Sequence, residues 1–166
     1  YFISNLYWIT NSLTFEENFK SLIPIALILI PLYLGVFYGI ATLACSFFSL
    51  DKKFSSILIF SIFFSLIEFV RGSIFGSFPW NLIVYTWTDY LKVLQVLPFI
   101  GTYAFNLLSL TIFLIPTIIL FNHKKKMKLS ILILTTVFLI ANFFYGSITL
   151  KNYEKANPRN LNFIIK

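Results

Sequence analysis

Ionisable side chains inside an uncharged run are the first candidates for chemistry in this sequence. Glu68 and Arg71 interrupt a stretch that is otherwise uncharged from Phe54 to Phe75, and Gly72 follows them directly. Residues three apart on a helix share a face and can pair, and an ionisable group within a membrane span indicates a functional site by default. The alternative interpretation is a structural ion pair about two turns from the membrane surface, with the long Arg71 side chain reaching toward the interface.

A cluster of aromatic and polar residues follows this stretch and is the second candidate. Its members are Phe78, Pro79, Trp80, Asn81, Tyr85, Trp87 and Asp89. One interpretation is an aromatic belt at the membrane–water interface. The other is a lipid-binding rim, where a headgroup or an acyl chain enters the protein.

The remaining reactive side chains predict no catalytic or metal site within the chain. Cys45 is the single cysteine, and it lies in an apolar run without the adjacent base that a nucleophile needs, which favours a packed thiol. His123 is the single histidine and opens a run of lysines, so we expect a solvated loop residue. One histidine, one cysteine and six scattered acids cannot build a metal site, and we expect no metal and no cofactor.

The composition identifies the environment in which these residues act. Hydrophobic residues make up 58% of the 166 residues, aromatic residues 20% and charged residues only 11%, with a mean hydropathy of +0.86. A soluble domain carries about a quarter of its residues as charged side chains. The chain is therefore predicted to be an integral membrane protein, and its aromatic content excludes disorder.

Four uncharged or nearly uncharged stretches predict an all-α membrane fold with about four transmembrane helices. The predicted spans are residues 21–50, 54–75, 93–122 and 129–150. Each is long enough for the about 20 apolar residues that cross a bilayer. Residues 76–92 are too interrupted for a further span and predict an interfacial or re-entrant segment. Proline can kink a transmembrane helix, and four prolines lie inside the predicted spans, which are Pro24, Pro31, Pro98 and Pro116.

The lysines predict the orientation in the membrane. The loops at 51–53 and 123–128 lie two spans apart and hold six of the 13 basic residues. The positive-inside rule therefore places these loops in the cytoplasm, and places residues 1–20, residues 76–92 and the tail after Lys151 outside. The net charge of +7 is thus mostly loop charge, and no nucleic-acid partner is expected.

The two ends of the sequence predict a piece of a longer protein. The chain starts at Tyr1, and its single methionine is Met127. Residues 1–20 are interpreted as the end of an earlier helix and an outer loop. Residues 151–166 are interpreted as a linker into a missing soluble domain, because 161–165 is typical of the start of a β-strand.

Taken in order, these motifs resemble the membrane domain of bacterial apolipoprotein N-acyltransferases. The resemblance rests on IEFVRG at 67–72, SFPW at 77–80, Tyr85, Asp89 and LPFIG at 97–101, with LYWIT at 6–10 and Ser12 before them. That family has a P-x-x-G turn where LPFIG lies. Ser77 and Val84 stand where it prefers glycine.

The resemblance implies an enzyme function for the intact protein. Members of the family transfer an acyl chain from a phospholipid donor to the N-terminal amine of a diacylglyceryl-cysteine lipoprotein acceptor in the bacterial inner membrane. They use catalytic residues of a nitrilase-like α/β domain outside the membrane. The resemblance therefore implies that this chain is the membrane portion, with no catalytic residue of its own. The residues from Glu68 to Asp89 would be structural or substrate-rim positions.

Two other functions are compatible with the same residues. A polytopic transporter would need several polar residues meeting in the middle of the membrane, and only Glu68 and Arg71 are charged residues inside a predicted span. A non-catalytic membrane-assembly subunit would need no continuation into a catalytic domain.

Overall fold

The computed structural model describes residues 4, 6–48, 50, 53–74 and 79–156, and these residues form helices and short connections without a strand. The α-helices are α1 (Ile23–Ser46), α2 (Phe54–Ser73), α3 (Leu91–Leu94), α4 (Leu97–Leu114) and α5 (Lys125–Ala156). The 3₁₀ helices are Tyr7–Thr14, Glu17–Leu22, Ile83–Trp87 and Ile115–Leu120. The predicted strand at 161–165 and the site candidate Phe78 lie outside the described residues.

Four of the helical segments are long and apolar enough to cross a membrane, which confirms the predicted multi-pass architecture. These segments are Glu17–Ser46, Phe54–Ser73, Leu97–Leu120 and Lys125–Ala156. Each has a mean hydropathy between 1.8 and 2.2 over its most apolar window. The last is 32 residues long and continues to Ala156, past the predicted boundary at Leu150. Between the second and third spans, the described residues form only short helices.

The chain divides into two compact units. Unit 1 holds Tyr1–Asp51 and Ile59–Leu82, and unit 2 holds Lys52–Leu58 and Ile83–Lys166. The first residues of α2 therefore belong to unit 2, while the rest of α2 belongs to unit 1.

Unit 1 is built around one face of α1. Leu34, Ala41 and Cys45 are buried on that face, and Leu34 packs against Leu6 from the preceding segment. The remaining α1 side chains are largely exposed, as expected for a surface that contacts lipid, because lipid tails are as apolar as leucine.

The interior of unit 2 contains polar side chains from α4. The buried side chains of α4 are Phe105, Asn106, Ser109 and Leu110. Two of these four are polar, so α4 presents hydrogen-bonding groups to its neighbours. Buried polar groups in a membrane protein require partners, and the partners are described with the site below.

Three of the four prolines lie at the second residue of a helical segment. They are Pro24 in α1, Pro98 in α4 and Pro116 in the 3₁₀ helix Ile115–Leu120, which continues directly from α4. Pro31 lies inside α1. The break in α4 is instead at Gly101, whose φ of 76° is accessible to glycine at no steric cost. A turn thus occurs at the LPFIG segment.

Candidate functional site

Glu68 and Arg71 form a buried ion pair in unit 1. Glu68 Oε1 lies 4.0 Å from Arg71 Nη2, and both side chains are completely buried. Tyr38 of α1 donates a hydrogen bond of 2.8 Å to the same carboxylate oxygen. The Arg71 guanidinium lies 5.7 Å from the centre of the Tyr38 ring, which is within cation–π range. Tyr38 therefore contacts both charges and fixes the end of α2 against α1.

The ion pair belongs to a polar stripe along the buried face of α2. The stripe consists of Ser61, Ser65, Glu68 and Arg71. These positions are three or four residues apart and thus lie on one side of the helix. Ser61 Oγ and Ser65 Oγ have no hydrogen-bond partner among the described residues. The sequence analysis identified only the charged half of this stripe, although small polar residues at helical spacing in an apolar span were the available signal.

Trp80 meets a second tryptophan from the start of the chain. The rings of Trp8 and Trp80 pack edge to face, with their centres 5.6 Å apart. Both side chains are nearly half exposed. The structure thus brings the LYWIT segment together with Trp80 within unit 1. Gly72 is buried next to Arg71, and Pro79 is partly buried.

In unit 2, two buried side chains of α4 hold the segment that carries Tyr85. The backbone N–H of Val84 donates to Asn106 Oδ1 at 2.9 Å. The indole N–H of Trp87 donates to Ser109 Oγ, also at 2.9 Å. Asn106 and Ser109 are fully buried and three residues apart on α4. The 3₁₀ helix Ile83–Trp87 is therefore anchored by both its backbone and its tryptophan.

The next turn of the chain, α3, is anchored to α5. Asn142 Nδ2 donates to the carbonyl oxygen of Val93 at 3.2 Å. Gly146, one turn further along α5, faces the backbone carbonyl of Lys92 so closely that a Cβ at this position would clash with it. The glycine thus permits close approach of α3. We call residues 83–94 the anchored segment, because α4 and α5 hold it from both ends.

A groove opens where the anchored segment meets α5. Its volume is about 370 Å³, and its lining consists of Asp89, Tyr90, Leu91, Lys92, Phe143 and Leu150. The ammonium group of Lys92 lies 4.6 Å from the centre of the Phe143 ring. The groove therefore combines one negative and one positive side chain with an apolar wall. That combination suits an amphipathic ligand with a charged head. Tyr85, another sequence candidate, is exposed on the anchored segment.

Cys45 and His123, the two reactive residues outside these clusters, differ in burial and in hydrogen bonding. Cys45 is only 2% exposed on the packed face of α1, as expected for a packed thiol. His123 lies in a loop, as predicted, but it is not fully solvated: its Nε2 atom accepts a 3.1 Å hydrogen bond from the backbone N–H of Phe54, the first residue of α2. His123 is partly buried and caps a helix that begins 69 residues earlier. In the described part of the chain, no three His, Cys, Asp or Glu side chains form a metal-binding group.

Tyr38, Asn106, Ser109 and Asn142 are the contacts that the sequence analysis missed. Each is one of several polar residues within a long apolar span. Interhelical hydrogen bonds from such residues are common in membrane proteins. Polar residues in these spans were thus a usable signal, but the sequence does not indicate which of them has a partner on another helix, or which partner it has.

The comparisons with known proteins indicate one family. A family model described as the apolipoprotein N-acyltransferase N-terminal domain matches residues 1–115. The chain is similar to the apolipoprotein N-acyltransferase of Brucella melitensis, with 29% identity over 90% of this chain and 28% of that protein. It is similar to that of Rickettsia bellii, with 32% identity over 92% of this chain and 30% of that protein. It is also similar to that of Sinorhizobium medicae, with 30% identity over 87% of this chain and 27% of that protein.

The chain spans less than a third of the length of these relatives. No solved structure matches it significantly.

Proposed function

The chain belongs to the apolipoprotein N-acyltransferase family, and we propose that it is the membrane portion of an enzyme that acylates lipoproteins. In the proposed reaction, an acyl chain passes from a phospholipid to the N-terminal amine of a diacylglyceryl-cysteine lipoprotein. The support is the family model over residues 1–115 and relatives of that name along about nine-tenths of the chain. We further propose that the enzyme lies in the bacterial inner membrane, with the lysine loops in the cytoplasm and the anchored segment and the tail outside.

The observation that carries the proposed role is the anchored segment with its groove. Apolar packing between helices gives little driving force in a membrane, since lipid is equally apolar. Buried polar side chains nevertheless hold residues 83–94 in place, and these are Asn106, Ser109 and Asn142. These hydrogen bonds indicate that the backbone of the anchored segment is held in a fixed position, which association of the helices alone would not require. We infer that the anchored segment shapes a lateral path by which lipid substrates reach the reaction.

The groove lining supports a phospholipid as the molecule that follows this path. The Lys92 ammonium can pair with a phosphate, and the Asp89 carboxylate with an amine. Phe143 and Leu150 supply the wall for the first part of an acyl chain. The volume of about 370 Å³ lies within the range of small-ligand sites. Phe78, Pro79 and Trp80 are proposed as further substrate-rim positions.

The polar contacts of α2 support a bracing role beneath the rim. Glu68 and Arg71 lie near the C-terminal end of α2, where a cation is favoured by the helix dipole. Tyr38 ties both groups to α1. We propose that this contact fixes the direction in which the chain leaves α2 toward Pro79 and Trp80.

The chemical step is proposed to lie outside these 166 residues. Cys45 is buried, and none of the reactive groups described above pairs a nucleophile with a base. The 166 residues alone are thus expected to bind lipid without transferring an acyl group.

The test compares the complete protein that contains this chain with the 166 residues alone. Both are reconstituted with a phospholipid and a synthetic diacylated lipopeptide, and formation of the triacylated peptide is followed by mass spectrometry. We expect product from the complete protein and none from the chain. Absence of acyl transfer by the complete protein would contradict the proposed reaction. Product from the 166 residues alone would contradict the proposal that the chemical step lies outside them.

A further inference from the structure

The N-terminal end of α5 carries a cluster of exposed positive charge. Lys124, Lys125 and Lys126 are exposed, and none of them forms an ion pair with a described residue. Lys128 differs, because its Nζ donates to the carbonyl oxygen of Ile119 at 2.8 Å. The sequence contains no Asp or Glu between residues 90 and 153. Nothing in this part of the sequence neutralises the three exposed lysines.

The positive charge of these lysines is unfavourable at the N-terminal end of a helix. The N-terminus of a helix carries a partial positive charge, so acidic residues are favoured there and cations are not. The first turn of α5 contains no acidic residue. The backbone N–H groups of Met127 and Lys128 donate to the Lys124 carbonyl, whereas those of Lys125 and Lys126 precede the first intrahelical acceptor. An external anion would relieve both the lysine charge and the helix end.

A groove begins at Lys126 and runs along the apolar part of α5. It has a volume of about 340 Å³ and is lined by Lys126, Leu129, Ser130, Ile133 and Leu134. These residues are three or four apart and form two adjacent rows on one face of the helix. From Lys126 to Leu134 the face extends roughly 12 Å along the axis. Leu129, Ile133 and Leu134 are each more than half exposed.

We propose that this end of α5 binds an anionic phospholipid from the leaflet on the lysine side. The phosphate lies against Lys124, Lys125 and Lys126 and the first turn of α5, and an acyl chain lies along Leu129, Ile133 and Leu134. The continuous apolar groove is the reason for a membrane lipid, because a soluble phosphate would use only its charged end. Basic clusters next to a transmembrane helix attract anionic lipids in this way.

This site is separate from the groove at the anchored segment. Lys126 and Asn142 are 16 residues apart on one helix, which corresponds to roughly 24 Å. The proposed lipid therefore does not occupy the position assigned to the acyl donor. Its binding can be measured whether or not the complete protein transfers an acyl chain.

The test measures lipid selectivity by electron paramagnetic resonance on the full 166-residue chain in phosphatidylcholine vesicles. Spin-labelled phosphatidylglycerol and spin-labelled phosphatidylcholine are compared by their relative association constants. We expect phosphatidylglycerol to associate about fivefold more strongly, the factor that one lysine near the surface contributes. The variant K124Q/K125Q/K126Q is expected to lose this preference. The control K151Q/K155Q, two exposed lysines at the other end of α5, is expected to keep it.

A second pair of variants separates a built site from general surface charge. Ile133→Trp fills the groove and leaves every lysine in place, so the preference for phosphatidylglycerol is expected to fall. Phe138→Trp places the same ring on another exposed face of α5 and is expected to have no effect. Helix content by circular dichroism confirms that the variants are folded.

Three results would overturn the proposal. The first is equal association of the two lipids with the unmodified chain. The second is an unchanged preference in Ile133→Trp, which would leave only diffuse surface charge. The third is full displacement of spin-labelled phosphatidylglycerol by a millimolar excess of inorganic phosphate, which would indicate a free-anion site.

Discussion

The backbone N–H of Val84 donates a 2.9 Å hydrogen bond to the side-chain oxygen of Asn106, a fully buried residue 22 positions further along the chain. The bond joins the first turn of the 3₁₀ helix Ile83–Trp87 to α4. The first N–H groups of a helix have no intrahelical acceptor, and they need another partner where water is scarce. Asn106 therefore determines where the segment carrying Tyr85 and Asp89 can lie.

Replacing Asn106 by Leu should release the start of the anchored segment. The side chain keeps a similar volume, but the Val84 N–H loses its acceptor, which costs about 1–3 kcal/mol for a buried group. We expect a lower unfolding free energy in detergent micelles and faster hydrogen exchange at the Val84 amide. The control is Asn122→Leu at an exposed position. Equal exchange rates at Val84 in the two variants would refute the role of Asn106.

Replacing Gly146 by Ala should push α3 away from α5. The new Cβ meets the Lys92 carbonyl, and overpacking of this kind costs about 1–3 kcal/mol. The matched control is Gly39→Ala, because a Cβ there contacts nothing within 4 Å. That control should be neutral or slightly stabilising, since Ala favours helix by about 1 kcal/mol over Gly. Thermal unfolding of the two variants provides the comparison, and equal stability would contradict the close approach.

Replacing Tyr38 by Phe should weaken the end of α2. The Glu68 carboxylate loses a hydrogen bond of 2.8 Å, and loss of a donor to a buried charged group costs about 1–3 kcal/mol. Tyr33→Phe is the control, because the partly exposed Tyr33 lies on the same helix and its hydroxyl makes no hydrogen bond with a described residue. Unfolding free energies in micelles measure the difference. A Tyr38→Phe variant as stable as the control would show that the hydroxyl contributes little to the ion pair.

Replacing His123 by Ala should uncap α2. The Phe54 N–H loses its acceptor at Nε2, and loss of an N-terminal cap costs about 0.5–2 kcal/mol. His123→Gln offers a side-chain oxygen and should recover part of this stability, whereas Asn122→Ala should have little effect. Hydrogen exchange at the Phe54 amide is the direct measurement. The cap would be refuted by unchanged exchange in His123→Ala.

Span number and the charged pair could be predicted from the sequence because both depend on local properties. Hydropathy over about 20 residues decides whether a helix can cross a membrane. The spacing of Glu68 and Arg71 decides that they share a face. Neither inference requires knowledge of a distant partner.

The uncharged polar contacts could not be predicted because each joins positions far apart in the chain. Tyr38 and Glu68 are 30 residues apart, and Asn142 and Val93 are 49 apart. His123 shows the same difficulty. Its lysine neighbours predict a solvent-exposed residue, whereas its Nε2 atom accepts a hydrogen bond from Phe54, at the start of a helix far away in the sequence. For the same reason, Gly146 has no local feature that reveals the Lys92 carbonyl opposite it.

The most direct test of the proposed lipid path is the apparent KM for phospholipid of the complete protein carrying Lys92→Gln. Phospholipid acyl transfer to a diacylated lipopeptide is measured beside Lys155→Gln, an exposed lysine on the same helix as Phe143. We predict that Lys92→Gln raises KM about tenfold at nearly constant kcat, because a charged hydrogen bond to the phosphate contributes about 1.5–3 kcal/mol. Lys155→Gln should leave both constants unchanged. Equal KM values in the two variants would contradict a lipid path at the anchored segment.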